Sequence, residues 1–578
     1  MYGRFTQRFA NNNAENNSDE DAKPSVLQNA YYSVQFDYTK SKSGQQDPIF
    51  QDNFFNYGYT GAFVTDRVPV YEQATLERED GASITGWAFQ GFQDVNVDFN
   101  PEGLGFDPSI INPEKSNHNE QYFDLAGDNQ AIYYSNLSQI LNNGGLWNGS
   151  TPTSLSTAYS LYYTPGKAHG TYSKSENDQY RLTFNGSFDL KPAGGTDRNK
   201  HAIEFGFEYE QRVDRDWTIF PEGLWNVMTD RTASFLNGQI GLDTDNAILI
   251  IDGEEVPFSE YDGEVDVFST NDTIAYNLIR VGDQDYFDQN IREQLGVGLL
   301  DFVDVDALNP NNLSLDMFSP DELFNNGEEY VSYYGFDYTG NKLTTSPGFS
   351  DFWTATNDEG MKTRPIDASR PIYMAGFIQD KFAFRDLIFN VGLRVDRFDA
   401  NQKVPTDPFS PLYATFKAGD IQSGDFDNFE GHPSTIGDDF VVYVDDPVSP
   451  SQIKGYRDGI QWYDANGAAI ADPDVLLEGG NISPYLANPL SDNPIDDIKR
   501  DEEYNPDLAF EDYKPQVSLN PRIAFSFEIS DEAIFFAHYD ILTQRPQDRL
   551  IATPFDFYYF LNQAVDGVFY NPNLRSER

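Results

Sequence analysis

Between Leu387 and Val395 every second residue is apolar: Leu387, Phe389, Val391, Leu393 and Val395. The intervening and following positions include Asn390, Gly392, Arg394 and Asp396. Successive side chains of a β-strand point to opposite faces, so this alternation predicts a strand with one apolar and one polar face. The pattern recurs along the chain. Tyr180, Leu182, Phe184, Phe188 and Leu190 alternate with Arg181, Thr183, Asn185, Ser187 and Asp189. After a turn at Pro192-Ala193-Gly194-Gly195, Ile203, Phe205, Phe207 and Tyr209 oppose Glu204, Gly206, Glu208 and Glu210. A second hairpin turns at Phe384 to Asp386 and a third near Ser530 to Glu532, where Ile523, Phe525, Phe527 and Ile529 oppose Arg522, Ser526 and Glu528. Tyr32, Val34, Phe36 and Tyr38 alternate with Ser33, Gln35, Asp37 and Thr39. At the start Tyr2, Arg4, Thr6 and Arg8 face away from Phe5 and Phe9. With an aromatic run at Phe54 to Val64, this reading gives about nine strand candidates.

Short turns join the two strands of each hairpin, whereas long polar stretches join one hairpin to the next, over roughly 66–177, 213–370 and 399–519. Loops of that length are foreign to a compact sandwich, but transmembrane barrels combine short turns at one end with long loops at the other. "SPDELF" carries a helix start inside one of them: Ser319 at the cap, Pro320 at the first helical position, then Asp321 and Glu322.

Composition narrows the choice. Of 578 residues, 15% are aromatic, which excludes a disordered acidic chain and favours all-β structure. Mean hydropathy is −0.57 and no apolar run approaches the ~18 residues of a membrane helix, so membrane helices are excluded. A β-barrel is not, because its strands show lipid only alternate side chains over about 9–11 residues. The net charge of −54 argues against nucleic acid as a partner. The absence of cysteine excludes disulfides and thiol catalysis. "MYGRFTQRFANNN" lacks the apolar stretch of a secretory signal.

Either solvent arrangement satisfies the alternation: a soluble sheet with its apolar face in a core, or a barrel with that face in lipid. Tyr and Phe gather near strand ends (Tyr32, Tyr38, Tyr209, Phe384, Phe398), and the polar face mixes charge with glycine. Turns and loops alternate in strict parity. These favour the barrel, with Leu387, Phe389, Val391, Leu393 and Val395 lipid-facing, and Arg181, Glu204, Glu208, Arg394, Asp396 and Arg522 facing a lumen.

The ordered succession "FIQDKF…LIFNVGLRVDRFD", "NPRIAFSFEISDEAIFFAHYD…TQRP" and "NPNLRSER" resembles the barrel strands of TonB-dependent outer-membrane receptors. "YRLTFNGSFD" and "HAIEFGFEYEQR" resemble the large-loop receptors whose plug is preceded by a carboxypeptidase-regulatory-like domain. Ser576 stands where the family's last motif usually has Pro, beside a retained Glu577. The resemblance implies an antiparallel barrel of about 22 strands, of which this chain carries a central part, over 1–578. The plug would lie upstream and further strands downstream. It also implies a Gram-negative outer-membrane location with loops outside, uptake of a scarce siderophore, vitamin, glycan or peptide, energy from the TonB complex through the plug, and a surface lipoprotein as a further partner.

No catalytic constellation is expected. His118, His169, His201, His432 and His538 are scattered without zinc spacing. Asp301, Asp304 and Asp306, or Asp243 and Asp245, are candidates for loop-bound Ca²⁺, although none completes an EF-hand pattern; otherwise they are solvated acids. Trp217, Trp225, Trp353, Trp462 and Tyr463 are candidates for ligand contact, the alternative being that they pack the loops together. The functional alternative is a soluble acidic adhesin or carbohydrate-binding β protein, which requires a second sheet over the Leu387/Phe389/Val391 face. A secreted hydrolase would need carboxylates that cannot be singled out among 93 acids.

Overall fold

The structure, a computed structural model, describes residues 1–9, 26–77, 83–99, 107–127, 135–150, 169–191, 200–233, 239–261, 273–384, 387–426, 430–477, 480–487, 504–530, 532–544, 551–560, 573 and 576–577. The chain is mostly β, with 44% strand and 20% helix; its sheets are antiparallel apart from one short parallel pairing of Thr273 and Ile274 with Trp87 and Ala88, and among the described residues no helix is long and apolar enough to cross a membrane.

It divides into two units. The first comprises 1–43, 175–216 and 333–578, and is built on one large sheet. Its main strands, in chain order and in spatial order, are β1 (Tyr2–Arg8), β2 (Leu27–Gln45), β3 (Tyr172–Leu190), β4 (His201–Ile219), β5 (Ile372–Phe384), β6 (Leu387–Asp399), β7 (Gln516–Ser530) and β8 (Ala533–Asp540). The sheet is not closed; among the described residues β1 and β8 are its edges. Phe384 pairs with Leu387, and Ser530 with Ala533, so two hairpins turn where the alternation places them. The expected Pro192–Gly195 turn, Arg545-Pro546 and most of the Asn571–Leu574 motif lie outside the described residues.

The register preserves one parity across strands. Leu387, Phe389, Val391, Leu393 and Val395 of β6 oppose Phe527, Phe525, Ile523, Pro521 and Leu519 of β7. On the other side they oppose Phe384, Phe382, Asp380, Ile378 and Gly376 of β5. Directly opposed residues share a face, so one surface of the sheet carries a mostly apolar row, interrupted in β5 by Asp380 and Gly376. Its residues are uncovered: Ile378 is 56% exposed, Leu393 42%, Leu519 61% and Ile523 46%. On the opposite face Ala375 and Asn520 are each 3% exposed and Phe398 7%. One face of the sheet thus leaves large apolar side chains uncovered, while the opposite face conceals some residues and exposes others, such as Glu204 and Arg522.

The aromatic run at Phe54 to Val64 is not a strand of this sheet. Phe54–Tyr57 forms a short helix, and the strand that follows, Phe63–Glu77, pairs with Ser83–Phe99 in the second unit. Here Phe54, Phe55, Tyr57 and Tyr59 do not keep a single parity, and Phe55, Tyr57 and Tyr59 are buried, as a core turn requires. The first long connection accordingly runs from the end of β2 at Gln45 to the start of β3 at Tyr172, rather than from 66.

The second unit, 44–174 and 217–332, contains the first long connection and most of the second, which share an apolar core. A five-stranded sheet buries Ile84, Ala88, Leu249 and Ile274. Ser319 caps the helix Pro320–Phe324 through a complete capping box with Glu322, as "SPDELF" predicts. The third connection, within the first unit, carries another five-stranded sheet that includes Val441–Val444 and Ile453–Asp458.

Candidate functional site: the polar face of the large sheet and a nearby cavity

The expected lumen-facing residues occupy one surface because the strand period places them there, and the structure joins several of them. Arg394 donates from Nε to an Asp396 carboxylate oxygen at 2.9 Å and from its guanidinium to the Tyr373 hydroxyl at 2.8 Å. The Tyr373 hydroxyl donates to the same carboxylate. Asn520 Nδ2 donates to the other Asp396 oxygen at 2.6 Å, and Thr543 donates to Asn520 Oδ1 at 3.1 Å. Four segments are thus tied by one chain of charge-assisted bonds. Arg181 and Glu208 form a second ion pair on this face, between β3 and β4. Glu204, opposite Gln379, and Arg522, opposite Gly392 and Asp540, are on the same face and exposed. Gly206 is required there: a Cβ would sit 2.5 Å from the Phe377 ring.

Near the upper ends of β6 and β7, in the first unit, a cavity of about 530 Å³ opens among charged and aromatic groups. Arg370, held by Asp367 at 3.1 Å, and Lys403, 3.1 Å from Asp512, line it together with Asp399 and Tyr513. Sequence reasoning missed this site, because its lining comes from segments far apart in the chain. The one local signal was "TPFD", a capping box in which Thr553 and Asp556 bond reciprocally and start the helix Pro554–Tyr558.

The candidate loop aromatics are not gathered in one place. Trp217 is fully buried against Phe54 and Tyr172, and Trp225 is buried with its indole N–H donating to the Phe55 carbonyl at 2.9 Å. Trp353 is buried among Phe349, Phe352, Tyr504 and Phe510. Trp462 and Tyr463 are half-buried, against Tyr443 and Phe440 respectively. These are the surroundings of loop-packing residues, with Trp462 and Tyr463 retaining an open side.

The acidic candidates also separate. Asp301 accepts the Gly298 N–H in its own turn, and Asp243 accepts from Asn246; Asp245 lies in the same turn. Asp304 accepts the Thr65 N–H at 2.7 Å, and Asp306 accepts from Asn148 Nδ2 at 3.0 Å. Burial pushes the Asp304 carboxyl up to about 6, and burial together with the Asp304 charge pushes Asp306 up to about 7. Among the described residues no three His, Cys, Asp or Glu side chains converge as a metal site.

No family model matches this chain, and no curated protein matches it either.

Proposed function

We propose that this chain is the barrel portion of an outer-membrane receptor of the TonB-dependent type, with β1 to β8 spanning the bilayer and the long connections outside. The observation that carries this reading is the contrast between the two faces of the large sheet: uncovered apolar side chains on one, and bonded charges such as Arg394 and Asp396 on the other. Water does not favour that arrangement, whereas lipid outside and a polar lumen inside do. The placement of every long connection at one end of the strands supports it as well. Within the reading, Arg394, Asp396, Tyr373 and Asn520 stiffen the barrel wall, and the cavity beside Arg370 and Lys403 offers space for part of a ligand. Imported ligand would pass the lumen on energy relayed from the TonB complex through a plug, with no chemistry performed on it.

The soluble alternative needs a covered Val391 and Leu393, which here are 40% and 42% exposed. The test is extraction and gel mobility. The full chain should require detergent, and unheated samples should migrate differently from boiled ones. Quantitative recovery in detergent-free buffer as a monodisperse protein would contradict the membrane reading.

A further inference from the structure

The apolar surface of the large sheet ends in a cationic cluster. Along β2 the outward positions run Tyr32, Val34, Phe36 and Tyr38, then Lys40 and Lys42. Along β3 they run from Leu182 and Tyr180 to Asp178 and Glu176. The rings of Tyr38 and Tyr180 lie 5.0 Å apart and form the last aromatic step of that face. Beyond them, toward the end bearing the long connections, four cations meet two carboxylates. Lys342 lies 2.8 Å from Glu176, and Lys42 also pairs with it. Arg215 lies 2.8 Å from Asp178, which also accepts the Tyr38 hydroxyl at 2.7 Å. Lys40 stands 3.6 Å from Glu176 and 3.9 Å from Asp178, within ion-pair range but outside hydrogen-bond reach. Asp337, in the turn that leads to Lys342, is occupied by the Thr339 hydroxyl and the Asn341 N–H, each at 2.8 Å.

In a chain whose net charge is −54, such a surplus of cations is an exception. The lysines are reachable: the Lys40, Lys42 and Lys342 side chains are 39%, 63% and 41% exposed, whereas Arg215 is 13% exposed and serves as an internal counter-ion. Lys40 follows Tyr38 by two residues, about 7 Å along the strand. On the membrane reading above, on which this inference rests, that is the level where aromatic side chains give way to headgroups and lysines extend toward phosphate.

We propose that Lys40, Lys42 and Lys342, aligned by Glu176 and Asp178, form a seat on the outer wall for the phosphate of a lipid headgroup in the outer leaflet. The two carboxylates hold the ammonium groups together when the seat is empty, and a bound phosphate would recruit Lys40 first, since it makes the loosest contacts. Each lysine at a charged membrane surface contributes about fivefold in binding.

The test uses the full chain in detergent micelles doped with lipid A, a diphosphorylated glycolipid, with phosphatidylcholine and inorganic phosphate as parallel probes. Bound lipid is counted by native mass spectrometry. Wild type should retain lipid A selectively, and the K40Q/K42Q/K342Q variant should lose about a hundredfold in affinity, three times the single-lysine effect on a logarithmic scale. E176Q should shift the other way and bind lipid A more tightly, an outcome that misfolding cannot imitate. Equal retention of lipid A by wild type and the triple variant would overturn the proposal while leaving the membrane reading intact. Competition by millimolar inorganic phosphate as effective as that by lipid A would assign the cluster to free phosphate and overturn the lipid assignment. A chain that is monodisperse without detergent would remove the membrane reading and this inference together.

Discussion

Two sheets of the first unit use similar residues for opposite ends. In the third connection, the strand Val441–Val444 is buried at every position, and Val442, Val444 and Tyr456 belong to a closed apolar core. In β6, Val391 and Leu393 belong to an equally apolar row that nothing covers. Valine and leucine do not choose between these states. What differs is the other face. The small sheet fixes one charge inside, Arg457, which is 3% exposed and donates to the 2%-exposed Asp407 at 2.5 Å. The large sheet instead lines a whole surface with Arg394, Asp396, Arg181, Glu208 and Asn520. A globule meant for water hides its apolar row; the large sheet leaves its apolar row uncovered and ties charges to one another on the other face.

Breaking each side of this comparison has a calculable effect. The largest is expected in the small sheet. Asp407→Ala leaves the Arg457 guanidinium buried without its counter-ion and should cost about 3–5 kcal/mol, read as early proteolysis of the third connection with the large sheet intact. Next is Val391→Arg. On a lipid-facing position this costs about 2–4 kcal/mol and should lower the heat-resistant folded fraction on gels, whereas Asn390→Arg on the polar face should be tolerated. Gly206→Val drives a side chain into the Phe377 ring and should cost about 1–3 kcal/mol in the same assay.

A further effect is a pH dependence of the second unit. Asp304 and Asp306 bind their protons more tightly in the folded state than when unfolded, with folded values near 6 and 7. Their contribution is therefore fully present below the ordinary carboxylate value and is lost as pH rises through 6 to 7. The second unit should melt higher at pH 5 than at pH 8, and Asp306→Asn should flatten that difference. An unchanged slope in Asp306→Asn would show that the dependence comes from the general relief of acidic repulsion.

The large sheet was legible in the sequence because period-2 alternation is written residue by residue: β3 to β7 fall where Leu182, Phe205, Ile378, Val391 and Ile523 place them. The capping box at Ser319 was legible for the same reason, being complete within four adjacent residues. The run from Phe54 to Val64 has the aromatic density of a strand, but its side chains are held on several sides by a core. The inner sheets of the long connections are not legible, because a run buried on both faces, such as Val441-Val442-Tyr443-Val444, has no alternation. The loop tryptophans illustrate a further limit. Composition announces Trp225, but only the fold supplies the Phe55 carbonyl that takes its N–H. The cavity beside Arg370 draws on residues between 334 and 554, a convergence that no local pattern records.

The central claim is that one face of β6 meets lipid and the other a polar lumen. The chain has no cysteine, so single cysteines can be introduced and spin-labelled without background. Labels at Leu387, Phe389, Val391, Leu393 and Val395, and at Ile388, Asn390 and Arg394, should be compared in lipid nanodiscs for collision with oxygen and with a water-soluble nickel complex. A two-residue oscillation is expected, with oxygen favoured at the first set and nickel at the second. Equal nickel access at both sets, or protection of the first set from both reagents, would contradict it.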